Sequence, residues 1–272
     1  MAFGISRAEG EPRLNYGSYL RIPELLGLQS LQSDPREHDE LLFIIIHQVY
    51  ELWFRQLLHE LDAVVECLDR DDPLGARRLL DRCTEIERVL IAQVKVLETM
   101  TPNDFLQFRD RLMPASGFQS AQFRSIEFLC GLKEPAHVLH HAPGSEARAL
   151  LENRLRRPTL GERFHALLRR RGFQLPEGAE PETRERRVVE LTRLYREPRS
   201  HYDLYMLAEA LVEFDEMFAL WRLHHIAMVE RMIGAKPGTG GSEGVAYLRT
   251  TLNRKFFPEL WELRSHLSAH GR

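Results

Sequence analysis

Between His38 and Asp72 the chain contains neither proline nor glycine. Its apolar residues recur there three and four positions apart: Leu41, Leu42, Ile45, Val49, Leu52, Trp53, Leu57, Leu58, Leu61 and Val65. That period marks an α-helix with one apolar face and predicts a helix from His38 to about Arg70. At 1.5 Å per residue such a helix is about 50 Å long, so the fold is built from long rods. Asp72-Pro73 then pairs an N-cap with proline at the first helical position. It opens a helix to about Glu98 that carries Leu79, Leu80, Ile86, Leu90, Val94 and Leu97. Thr101-Pro102 repeats the start signal, with Asp104 completing a variant capping box. Further helices are expected over Ala121–Leu132 and His201–Ile233, the last ended by Gly234 in the left-handed cap position. No segment alternates with the period of two expected of a half-buried strand, and no internal repeat is visible. The expected fold is all-α, a bundle of long antiparallel helices with shorter covering helices. One domain is expected over residues 1–272, with residues 1–37 preceding the first long helix. Residues 133–198, broken by Pro135, Pro143-Gly144, Pro158, Gly172 and the Pro176–Pro181 stretch, form a variable region of short helices over one end of the bundle.

Hydrophobic residues are 43% and charged residues 28% of the 272, enough for a real core. Lys and Arg number 37 against 40 Asp and Glu. This balance lacks the basic excess of a nucleic-acid binder. The most basic stretches, Arg154–Arg157 and Arg169–Arg171, are short and have Glu152, Glu162 and Glu177 close by. Cys67, Cys83 and Cys130 are too widely spaced for a disulfide framework or a zinc site, and read as reduced structural thiols. The longest apolar run, Leu41–Ile46, falls far below the roughly 18 residues of a membrane helix. The N-terminus places Glu9 and Glu11 beside Arg7 without an apolar stretch, unlike a secretory signal. The expectation is a cytoplasmic protein with neither nucleic-acid nor membrane partner.

Few residues stand out for chemistry. His47 shares a stripe with Phe43, Ile44, Tyr50 and Phe54; it is either a ligand-facing group or a core histidine bonded to a backbone carbonyl. His224 and His225 lie about 100° apart on one helix, so they cannot point the same way. His225 is flanked at helical spacing by Phe218, Trp221, Met228, Val229 and Met232. A lone imidazole on an apolar stripe is how helical proteins present a proximal haem ligand; a satisfied core histidine is the plainer alternative. Non-haem metal is disfavoured, because HExxH is absent and no Glu-x-x-His pair recurs on two helices. His59–Asp62 places acids near a histidine on a face that reads as solvated. Lys236–Gly244 is glycine-rich but lacks the P-loop ending, leaving a flexible connector or a lid that closes on a ligand. Arg109, beside Phe105 and Phe108, offers either a fork for a buried carboxylate or a surface pair with Asp110.

Three separated segments together resemble the tryptophan 2,3-dioxygenase family. The first is Tyr16-Gly-Ser-Tyr-Leu20 followed by His38-Asp-Glu-Leu-Leu-Phe-Ile-Ile-Ile-His-Gln-Val-Tyr-Glu-Leu-Trp53. The second runs from Leu97-Glu-Thr-Met-Thr-Pro102 through Phe108-Arg-Asp110 and Pro114-Ala-Ser-Gly-Phe-Gln-Ser120 to Gln122-Phe-Arg124. The third is Leu220-Trp-Arg-Leu-His-His225, then Ile233-Gly-Ala-Lys-Pro-Gly-Thr-Gly-Gly-Ser242 and Phe256-Phe-Pro-Glu-Leu260. The likeness covers about 16–53, 97–128 and 214–263, and fades between Lys133 and Pro198.

The resemblance implies a haem-dependent dioxygenase with one haem b per subunit, ferrous when active, and O2 as co-substrate. It implies that L-tryptophan is opened between indole C2 and C3 to N-formyl-L-kynurenine, the first step of the kynurenine pathway of tryptophan catabolism. By position, His225 matches the proximal iron ligand and His47 the distal catalytic histidine facing the indole N–H. Phe43 matches an aromatic wall of the indole pocket. Phe105 stands where members carry tyrosine or phenylalanine. Arg109 and Thr239 match the residues holding the amino acid's charged end, and Ser116 and Gly117 the segment lining the haem pocket. Tyr16, Tyr19 and Leu20 match an arm that reaches a neighbouring subunit's substrate pocket, implying a homotetramer with exchanged arms. Two other readings stay open here. One is a haem enzyme of the same superfamily oxygenating another indole or aromatic amino acid; the other is a haem-free helical interaction protein that kept the fold.

Overall fold

The computed structural model describes residues 14–240 and 244–268. The first 13 residues, with Arg7, Glu9 and Glu11, and Gly241 and Ser242 of the glycine-rich loop lie outside them. Twelve α-helices follow in order: α1 Tyr16–Leu20, α2 Ile22–Leu25, α3 His38–Asp69, α4 Pro73–Leu97, α5 Pro102–Arg109, α6 Ala121–Leu129, α7 Glu146–Arg156, α8 Leu160–Arg170, α9 Pro181–Arg196, α10 Tyr202–Ile233, α11 Val245–Thr250 and α12 Pro258–Glu262. Four 3-10 turns join them, and no strand occurs among the described residues. The all-α expectation holds.

Local chemistry sets the ends of these helices. The Asp72 carboxylate accepts the Gly75 N–H at 2.8 Å and starts α4. Thr101 and Asp104 cap each other at the start of α5. Helix α6 stops at Leu129, three residues before the expected Leu132. Gly131 takes φ +108°, and the N–H groups of Gly131 and Leu132 bond back to Phe128 and Glu127, the glycine-centred Schellman closure. Gly234 does end α10 at positive φ, but with ψ −135°. It is therefore outside the left-handed helical cap, in a region essentially reserved for glycine.

Helices α3 and α10 each pack along α4, α6 lies on α3, and α5 touches both α3 and α10. Leu57, Leu61, Val64 and Leu68 of α3 interlock with Ala76 and Leu80 of α4 and with Leu204, Leu207 and Leu211 of α10, all essentially sealed from solvent. Each such leucine contributes about 1.5–3 kcal/mol by leaving water. A second cluster joins Ile46, Val94, Leu97, Met100, Phe108, Met228 and Met232, near the N-terminal half of α3 and the C-terminal ends of α4 and α10. Helix α3 is long and apolar enough to cross a membrane by length and composition, yet it packs against α4, α6 and α8. Its periodic set is wider than its core face, because Leu41, Ile45 and Leu52 are exposed.

The 133–198 region supplies α7, α8 and α9. Arg154 grips Asp62 with both guanidinium nitrogens (2.5 and 2.6 Å), while Arg163 and Arg171 hold Asp69 and Asp71 at the α3–α4 turn. The face around His59–Asp62 is less solvated than expected: Glu60 is buried under Arg82, 2.8 Å away. All three cysteines are free and buried. Asp215 of α10 accepts the N–H groups of Phe256 (3.0 Å) and Phe257 (3.1 Å) and the Trp261 indole N–H (2.9 Å), which fastens the C-terminal segment to the bundle.

Candidate active site

Away from α8, residues of α3, α5, α6, α10 and α11 line a cavity of about 310 Å³. Eight of the eleven residues expected at the site line it: Phe43, His47, Phe105, Arg109, Ser116, Gly117, His225 and Thr239. They come from five separate stretches of chain. Tyr16, Tyr19 and Leu20 do not line it; α1 buries no residue and all three are exposed. Their expected role concerns a neighbouring subunit's pocket.

His47 sits where its sequence stripe predicts. Its Nδ1 lies 2.7 Å from the Phe43 carbonyl, which can only accept, so Nδ1 carries the proton and Nε2 keeps its lone pair. The ring is open to the cavity but crowded by protein elsewhere. Burial pulls its pKa below 6.5, against the Phe43 carbonyl and the Glu51 carboxylate, which favour the charged form. Phe43 stacks against Phe105 at 5.6 Å and meets Phe108 edge-on, forming one aromatic wall. His225 stands on α10 among Trp221, Met228 and Val229. Burial, reinforced by the nearby His47, lowers its pKa to about 4, so at neutral pH it offers the uncharged imidazole that metal ligation requires. His224 is outside the lining.

Arg109, the last residue of α5, points its guanidinium under the 236–240 loop and donates to the Pro237 carbonyl. Arg109 also keeps a long ion pair of 3.8 Å with the exposed Asp110 carboxylate. Thr239 donates to the Ala115 carbonyl at 2.7 Å. Gly240 lies so close to Ser116 that a Cβ there would stand 2.5 Å from the serine Cβ. The described part of the glycine-rich loop is thus docked over Arg109 and the 115–116 segment instead of spanning free as a connector.

Other residues of the site take no individual role from sequence alone, although Arg124 and Arg222 fall inside the family-like segments. Arg124, Glu127 and Arg222 line the cavity as a buried chain: Arg124 reaches Glu127 at 2.5 Å, and Arg222 reaches its other oxygen at 3.0 Å. Two cations against one carboxylate leave that end of the cavity short of negative charge. Glu51 also faces the cavity, held by Gln122 at 2.8 Å. Buried Arg124 Nε and Trp221 Nε1 have no hydrogen-bond acceptor. The Tyr50 hydroxyl donates to the Leu90 carbonyl at 2.8 Å, and its oxygen lies close to the Trp221 indole N–H.

This lining fits a haem group. No cluster of three or more His, Cys, Asp or Glu side chains able to hold a metal occurs among the described residues, so iron held by His225 alone would need ligands brought by a macrocycle. The apolar walls suit its rings. The orphaned N–H groups of Trp221 and Arg124 are donors awaiting carboxylates, since buried polar groups are normally paired. Gly117 lines the cavity, and a Cβ added to it would meet no atom within 4 Å, so open space lies in front of it.

The family model described as Tryptophan 2,3-dioxygenase matches residues 4–173 and 184–267. A protein named tryptophan 2,3-dioxygenase from Nocardioides sp. is 50% identical over 271 residues, covering 97% of this chain and 98% of that relative. Relatives of the same name from Herpetosiphon aurantiacus and Caulobacter vibrioides are 45% and 42% identical, each covering 93% of this chain and 98% of their own length. With matches of that extent on both counts, the chain belongs to the tryptophan 2,3-dioxygenase family.

Proposed function

We propose that this protein is a haem-dependent dioxygenase that adds O2 across the indole C2–C3 bond of L-tryptophan to give N-formyl-L-kynurenine, opening the kynurenine route of tryptophan catabolism. The observation that carries this reading is the convergence of His47, Arg109 and His225 on one apolar cavity roofed by the 236–240 loop. Haem b, one per subunit, ferrous and held by His225, supplies the redox chemistry of O2. Trp221 and Arg124, with buried N–H groups at the cavity, would hold its carboxylates.

The protein's share of the work is positioning. Arg109 can pair in a forked geometry with the substrate carboxylate, and Thr239 supports the same charged end. The zwitterion so fixed sets the indole between Phe43 and Phe105. His47 Nε2 accepts the indole N–H and so fixes the ring's rotation. His47 orients the indole and does not remove its proton, because an indole N–H is too weak an acid for imidazole at neutral pH. The docked loop excludes water from the charged end.

The protein works as a homotetramer in the cytoplasm. Exposed Tyr16, Tyr19 and Leu20, together with the exposed apolar residues Leu41, Ile45 and Leu52 of α3, support arms exchanged between subunits that complete each other's pockets. The test is haem reconstitution followed by anaerobic reduction and admission of O2 with L-tryptophan. A Soret band and a product heavier by two oxygen atoms are expected. A product heavier by one oxygen, or turnover only of another indole, would assign the chain to a different oxygenation. No haem uptake at all would leave only a helical scaffold.

A further inference from the structure

The short arginine runs near 154–157 and 169–171 play no part in the cavity of His225. Residues 133–198 hold fourteen Lys and Arg against ten Asp and Glu, although the whole chain carries a net charge of −3. This local cationic excess folds around a second cavity of about 730 Å³, between α8, the end of α7 and the 256–260 segment. Its lining shares no residue with the site of His225. The three carboxylates in that lining are already engaged. Glu259 lies 2.7 Å from Arg187 and 3.2 Å from His165, Glu177 pairs with Arg169 at 3.0 Å, and Glu162 accepts the Thr159 N–H at 2.6 Å. Lys133, Arg156 and Arg157 also line the cavity, and none of these three has a carboxylate partner among the described residues. Lys133 bonds the Leu155 and Arg157 carbonyls (2.9 and 2.5 Å), which keeps its charge at the cavity and fixes the corner from which both arginines extend. The floor is apolar, made by buried Phe257 and Leu260. Its backbone is pinned by Asp215.

A cleft whose six lysine and arginine side chains outnumber its three carboxylates concentrates anions, and guanidinium forks match phosphate oxygens in geometry. We propose that this pocket binds a phosphate-bearing small molecule, its oxyanions held by Lys133, Arg156 and Arg157. The volume suits a ligand of nucleotide size, resting on the apolar floor of Phe257 and Leu260.

The test is calorimetric titration of the haem-loaded full chain at physiological salt with inorganic pyrophosphate and, separately, with ATP. Saturable binding is expected for at least one, weakening as salt rises and falling at least about tenfold when the Arg156→Glu and Arg157→Glu changes are combined. Tighter binding of ATP would show that the floor takes the base; equal binding would assign recognition to the oxyanions alone. Both arginines are exposed and unpaired, so the double variant should melt with the parent. If it does not, the single Arg157→Gln variant carries the comparison. Absence of saturable binding by either probe, or unchanged affinity in the variants, would overturn the proposal.

Discussion

Trp221 and His225 stand one helical turn apart on α10 with ring centroids 5.3 Å apart and planes only 13° from parallel. The indole braces one face of the imidazole while its own N–H remains without an acceptor. Replacing Trp221 by Phe keeps the stacked face and deletes only the donor. With one hydrogen bond worth about 1 kcal/mol, the variant should keep its Soret band yet release haem roughly fivefold faster, measured by transfer to an apoprotein acceptor. His225→Ala should retain no Soret band. Unchanged release from Trp221→Phe would show that the indole N–H plays no part in holding haem.

Arg109 is half committed to the Pro237 carbonyl, so it serves both the loop and the proposed substrate carboxylate. Losing a buried charge-assisted pair costs about 2–5 kcal/mol. Arg109→Ala should therefore raise KM for L-tryptophan at least about thirtyfold while the haem spectrum stays as it was. Steady-state kinetics on the reconstituted variant settles the point, and an unaltered KM would remove Arg109 from substrate binding.

Gly240 leaves no room for a side chain, because a Cβ would stand 2.5 Å from the Ser116 Cβ. Gly240→Ala should lift the loop, lose the Thr239–Ala115 hydrogen bond and raise KM, with little change in melting temperature because the loop buries little surface. Adding Ser116→Gly removes the colliding atom and should recover part of the loss, a coupling that only direct contact produces. Independent, additive effects of the two changes would show that the loop does not need this close approach.

The fold was legible because helix ends depend on neighbours in sequence. Asp72-Pro73 and Thr101-Pro102 state their starts within four residues. The α6 stop was missed because the glycine at 131 ends the helix through bonds to Glu127 and Phe128 that exist only once the turn closes. The site divides in the same way. His47 and His225 are visible as imidazoles on apolar stripes. Arg124 and Glu127, spaced three apart, look like an ordinary solvated helix pair, yet both are buried, with Arg222 of α10 on Glu127 and Arg124 over Phe118. The second, cationic cavity was hidden for the same reason: Lys133, Arg157 and Phe257 are far apart in sequence.

Glu87 of α4 is fully buried, and neither carboxylate oxygen has a hydrogen-bond partner. Burial, with a further push from the Asp215 carboxylate and partial relief from Arg222, raises its pKa well above 4.5. The folded protein therefore holds this group protonated at pH values where the unfolded chain ionises it. Below about pH 4.5 both states carry the proton and the difference vanishes; above it the unfolded state is favoured, by up to about 1.4 kcal/mol per pH unit. Glu87→Met removes both the titration and the orphaned oxygens. Its stability relative to the parent should rise as pH increases from 5 to 8, by up to about 4 kcal/mol over the three units. Urea midpoints measured across that range test this, and a variant that is less stable at pH 8 than at pH 5 relative to the parent would mean that Glu87 is ionised and paired in the folded protein.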